Sequence, residues 1–70
     1  MYVIWSFEHS AWWRPNRAGY TERVGEAGVY TWAETRDICY NPVAVQEMAV
    51  PCDFAYKNGP PRHPYPFAPG

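Results

Sequence analysis

Seventy residues with a formal net charge of −1 are enough for one domain and one small hydrophobic core. Six lysines and arginines in all argue against a general nucleic-acid binder, which carries a clear basic excess. With no run of about 18 apolar residues and no basic-then-apolar N-terminal stretch, neither a membrane-spanning helix nor a secretory signal is expected. Cytoplasmic residence follows as the expectation, with Cys39 and Cys52 as free thiols.

Aromatic residues make up 19% of the chain. Large rings bury about 150–250 Å² each, so they supply core area at low residue count. Three of the four tryptophans, Trp5, Trp12 and Trp13, fall within nine residues.

Taken in chain order, Tyr2-Val3-Ile4-Trp5-Ser6-Phe7 is β-branched and aromatic and reads as a strand. Alternation puts Val3, Trp5 and Phe7 on one side, the better core face, and Tyr2, Ile4 and Ser6 on the other. Ser10-Ala11-Trp12-Trp13 is a second strand, with Glu8 and His9 at the hairpin connection. Arg14-Pro15-Asn16-Arg17-Ala18-Gly19 breaks the pattern as a loop that carries two arginines. Thr21 is placed to cap a short helical turn through Glu22-Arg23-Val24, with Gly28 at its left-handed C-terminal position. Val29 and Tyr30 are extended.

Thr31-Trp32-Ala33-Glu34 matches a capping box, so a helix is expected from about Trp32 to Tyr40, ended by Asn41-Pro42. Its inward side is expected to include Ala33 and Ile38, with Trp32 or Cys39. Val45-Gln46-Glu47-Met48-Ala49-Val50 reads as a returning strand stopped by Pro51. Five prolines among the last eleven residues, Pro60 to Pro69, mark a tail that cannot pair inside a sheet. The expected fold is α+β: a hairpin and a returning strand packed on one main helix, in ββαβ order. Residues 1–52 form the expected core and 53–70 a proline- and aromatic-rich tail.

The residue types offer little chemistry. Cys39, Cys52, His9 and His63 lack the close pairs of a structural zinc site. Cys52 with His9 or His63 and Asp53 names the types for nucleophilic catalysis, but a chain this short rarely encloses a substrate cleft of about 300–1,000 Å³. No enzyme activity, cofactor or metal is expected. Trp12, Trp13, Arg14 and Arg17 combine rings with cations, as single-strand binders do; the competing reading makes the tryptophans core.

Charge is distributed unevenly. Between residues 21 and 53, Glu22, Glu26, Glu34, Asp37, Glu47 and Asp53 face only Arg23 and Arg36. Carboxylates spaced over a small surface can imitate the phosphates of a duplex and occupy a basic groove.

Trp5-Ser6-x-Glu8-His9, Trp12-Trp13-x-Pro15-Asn16-x-x-Gly19-Tyr20-Thr21 and Glu26-Ala27-Gly28-x-Tyr30-Thr31 together resemble a group of small proteins encoded by bacteriophages and mobile elements. The likeness covers about residues 2–50 and leaves out the tail. In type, a short phage-like chain with polarised charge resembles the anti-CRISPR proteins. That resemblance implies a non-enzymatic inhibitor, acting as a monomer in the cytoplasm of a bacterial host. It would bind the DNA-binding subunit of a CRISPR effector through the six carboxylates named above and block target or PAM access. The alternative expectation is a small nucleic-acid-binding accessory protein using Trp12, Trp13, Arg14 and Arg17.

Overall fold

The computed structural model describes residues 1–40 and 46–61. Four strands, β1 (Tyr2–Ser6), β2 (Ala11–Trp13), β3 (Tyr20–Thr21) and β4 (Glu47–Pro51), form one antiparallel sheet in the order β3-β2-β1-β4. Two helices accompany it, α1 (Trp32–Cys39) and α2 (Cys52–Asn58), with single 3₁₀ turns at Pro15–Arg17 and Val24–Glu26. The α+β class and the hairpin, helix and returning strand stand as expected. Asn41, Pro42 and Val45, and the tail beyond Pro61, lie outside the described residues.

β1 is an interior strand, paired with β2 and β4, and both of its faces are buried. Val3 and Trp5 join Trp12, Met48, Val50 and Ala55 in one cluster, with Phe7, Val24, Ala27 and Cys52 packed around it. Ile4 joins Tyr30, Cys39 and Ala49 in a second cluster, with Tyr2, Trp13 and Ile38. The strand register explains the division: Val3 pairs with Val50 and Trp5 with Met48, while Ile4 pairs with Ala49. With a period of two, directly opposed residues share a face. α1 therefore covers one side of the sheet, and the Val24 turn with α2 covers the other. The expectation of a single core face needs correction, because Ile4 and Ser6 are as fully buried as Val3. Trp5 and Trp12 meet edge to face across the β1–β2 pair, with centroids 4.9 Å apart, the geometry that ring quadrupoles favour.

α1 begins as the sequence predicts. The Thr31 hydroxyl accepts from the Glu34 amide at 3.2 Å, and the Glu34 carboxylate accepts from the Thr31 amide at 2.8 Å. The inward stripe differs from expectation. Thr35 and Cys39 are buried and Ile38 half-buried, whereas Ala33 and Trp32 face solvent. Thr35 is tolerated there because its hydroxyl donates to the Trp32 carbonyl at 2.9 Å, so no polar atom is left unpaired.

Three further corrections concern short elements. Thr21 does not cap a helical turn over Glu22–Val24; it ends β3, and its hydroxyl accepts from the Arg23 amide ahead of the Val24–Glu26 turn. Gly28 is no left-handed cap. It is required by close approach, since a Cβ there would lie 2.7 Å from Pro15 Cα. Residues 53–58, expected as the start of the tail, belong with Cys52 to α2, which places Ala55 in the core and ends at Gly59 with φ of 76°. Pro51 closes the edge strand β4 and leads directly into this helix, a position where its missing amide costs nothing.

Candidate functional site

The segment from Trp13 to Tyr30 forms one interlocked unit. Asn16 and Arg17 both adopt left-handed backbone, at φ of 60° and 57°, a conformation that costs non-glycine residues energy and needs external support. The support is Tyr30. Its hydroxyl donates to the Arg14 carbonyl and accepts from the Arg17 amide at 3.1 Å, so it plugs the loop from inside. Around it, the Arg14 amide donates to the Gly19 carbonyl and the Gly28 amide to the Trp13 carbonyl, each at 2.8 Å. Pro15 lies directly over Gly28. Trp-Trp-x-Pro-Asn, Gly28 and Tyr30 are thus parts of one clasp, which is an architectural role.

A second network sits at the mouth of the same loop. Arg14 donates through Nε to the Tyr20 carbonyl at 2.9 Å and through Nη2 to Glu26 at 3.4 Å. Thr21 donates its hydroxyl to the same Glu26 oxygen at 2.9 Å, and Arg23 lies 3.9 Å from the other. These residues, with His9, Ala11, Tyr20 and Glu22, line an open depression of about 570 Å³. His9 stacks on Tyr20 at 4.0 Å between ring centroids and reaches Glu8 at 3.4 Å.

The six carboxylates named from the sequence do not gather on one face. Glu22 and Glu26 bracket the Val24 turn, and Asp53 begins α2; that turn and that helix cover one side of the sheet. Glu34 and Asp37 lie on α1, on the opposite side. Glu47 starts the edge strand β4. Several are already engaged. Glu26 is held by Arg14 and Arg23, Asp37 lies 3.8 Å from Arg17, and Glu34 closes the capping box. The Thr31 backbone amide, then its hydroxyl, with Arg17 further off, holds Glu34 below the ordinary carboxylate range. Glu47 is half-buried, and burial followed by the charge of Glu8 raises its pKa, against a lowering by His9. Glu22 and Asp53 are exposed and enter no ion pair among the described residues.

The ring-and-cation set fares differently. Trp12 is 1% exposed and wholly inside the core. Trp13 is half-buried, packs into the second cluster and meets Tyr20 edge-on at 6.1 Å. Both tryptophans are therefore engaged in packing, as the competing core reading has it. The rings at the surface are others: Trp32, 48% exposed, contacts Tyr2 at 5.3 Å and Tyr40 at 5.9 Å. Helical spacing alone did not reveal this, because Trp32 opens α1 at the flank of its buried stripe.

Both cysteines are free thiols. Cys39 is buried, and burial, then the charge of Glu47, pushes its thiol up to about 12, away from the nucleophilic thiolate form. Cys52 and Asp53 border one depression with Met1, while His9 lies in another, so the catalytic set weighed from the sequence is not assembled by these residues; His63 lies outside the described residues. No group of three or more metal-ligating side chains occurs among the described residues, and no helix among them is long and apolar enough to cross a membrane.

Fold and site together define a small α+β domain with a two-sided core and a clasped, arginine-bearing loop. Comparison with protein-family models, curated proteins and solved structures finds no match for this chain.

Proposed function

We propose that this chain is a non-enzymatic inhibitor of host defence of the anti-CRISPR type. It acts in the bacterial cytoplasm by engaging the basic DNA-binding surface of a CRISPR effector and blocking access of target or PAM duplex. The observation that supports this reading is the placement of Glu22 and Asp53. Both are exposed and outside every ion pair among the described residues, in the segments that bring the Val24 turn and α2 together. Carboxylates without an internal partner are the ones able to pair with a partner's lysines and arginines. Glu26 contributes less, because two guanidiniums already share it, and Glu34 and Asp37 are turned to other uses on the far side of the sheet.

The division into sets gives the test. The double variant Glu22→Lys with Asp53→Lys is expected to lose binding to the effector by tenfold or more, about 1.4 kcal/mol or greater, with its unfolding midpoint unchanged. Asp37→Lys, on the opposite side, is expected to bind as the native chain does. Equal binding by the native chain and the double variant across a panel of purified CRISPR effectors would reject the carboxylate mechanism.

A further inference from the structure

We infer that the depression between the β1–β2 turn and the Val24 turn is a nucleotide-binding site, with His9 and Tyr20 as its stacking platform and Arg14 and Arg23 as its phosphate contacts. This inference is independent of the inhibitor reading, since a chain that binds no effector can still bind a nucleotide.

Three features meet in this depression of about 570 Å³. The first is the ring pair. His9 and Tyr20 stack with centroids 4.0 Å apart and planes 24° from parallel, and both residues are exposed. An exposed parallel pair of rings adds little to a core, and a nucleobase can extend such a stack. The second is the pair of guanidiniums. Arg14 is fixed by its bonds to the Tyr20 carbonyl and Glu26, so its side chain is held in place before any ligand arrives. Arg23 lies at the rim with its side chain 83% exposed and is held only loosely, at 3.9 Å from Glu26. Glu22 and Glu26 balance Arg14 and Arg23 within the depression, so a phosphate would be held by direct guanidinium hydrogen bonds, chiefly from the exposed Arg23 fork, and not by a net positive charge. The third is the acceptors. Glu22 and Glu26 line the same depression and can accept from ribose hydroxyls or an exocyclic amine.

This set differs from the one the sequence singled out. Of Trp12, Trp13, Arg14 and Arg17, only Arg14 borders this depression; the rings that serve are His9 and Tyr20. They lie eleven positions apart and are joined only by the fold.

The test uses the full chain, isotope-labelled and followed by backbone amide shifts. Adenosine monophosphate, adenosine, inorganic phosphate and a short single-stranded oligonucleotide are titrated separately. Saturable shifts centred on residues 9, 14 and 20–26 are expected with adenosine monophosphate, with Kd of about 1 mM. Adenosine and phosphate, each lacking one half of the contacts, are expected to bind several-fold more weakly. Arg23→Ala and His9→Ala are each expected to weaken binding several-fold, while methyl shifts of Val3, Ile4 and Val50 report an intact fold. Tighter binding of the oligonucleotide than of the monophosphate would identify a single strand as the source of the nucleotide; the reverse order would identify a free nucleotide. Absence of saturable shifts, an equal response to inorganic phosphate alone, or no effect of either variant would overturn the assignment.

Discussion

Trp12 and Tyr30 carry different kinds of stabilisation, and substitution separates them. Trp12 is buried by Trp5, Met48 and their neighbours, so Trp12→Ala removes its area from the core and leaves a cavity, at a cost of about 3–5 kcal/mol. A chain of this size holds about 3–5 kcal/mol in total. Trp12→Ala is therefore expected to be unfolded at room temperature by circular dichroism; a folded variant would mean that this ring is not the centre of the core. Tyr30→Phe keeps the ring and removes only the hydroxyl. The Arg14 carbonyl and Arg17 amide then lose their shared partner beneath a left-handed loop, at about 1–3 kcal/mol. Gly28→Ala drives a methyl group into Pro15 and is expected to cost about 1–3 kcal/mol, because backbone and not a flexible side-chain end must yield. Chemical denaturation measures both. If Tyr30→Phe and Gly28→Ala each cost a few tenths or less, the clasp does not hold the loop.

At the scale of elements, α1 is where local sequence and structure agree best. Its capping box is formed by two residues three positions apart, so the signal is local and survives any tertiary context. Thr31→Ala is expected to cost about 1 kcal/mol. The bonds from Thr31 also give the helix a pH dependence of known sign. They lower the folded pKa of Glu34, so their contribution is complete above the ordinary carboxylate value and is lost as pH falls through the folded value. Native stability should decline on acidification below about pH 4.5 with a steeper slope than in Glu34→Gln, which removes the titrating carboxylate; parallel slopes in denaturation curves across that range would contradict the assignment.

β1 and β2 were legible for a related reason, since runs of β-branched and aromatic residues bounded by a turn specify strands locally. α2 was not. It has seven residues between prolines, too short to be stable alone, and it persists because Ala55 packs under the sheet. β3 has two residues and exists by pairing with β2. The inward side of α1 departs from the sequence expectation because Thr35, a polar residue, takes a core position once its hydroxyl is satisfied within the helix.

For the whole molecule, the decisive feature is that the sheet is covered on both sides. Because α1 covers one side and α2 with the Val24 turn covers the other, the carboxylates are divided between the two sides. The arginine-bearing loop then takes up Glu26 and Asp37 in ion pairs. That division was invisible in the sequence because it depends on how α2 returns to the sheet. It narrows the proposed partner surface to Glu22 and Asp53 and separates it from Glu34 and Asp37. Competition between this chain and a PAM-containing duplex for a purified CRISPR effector tests the proposal most directly. Mutually exclusive binding is predicted, with apparent affinity falling as salt rises from about 0.05 to 0.3 M, as expected for contacts between opposite charges. A ternary complex of chain, effector and duplex, or no binding to any effector in the panel, would contradict it.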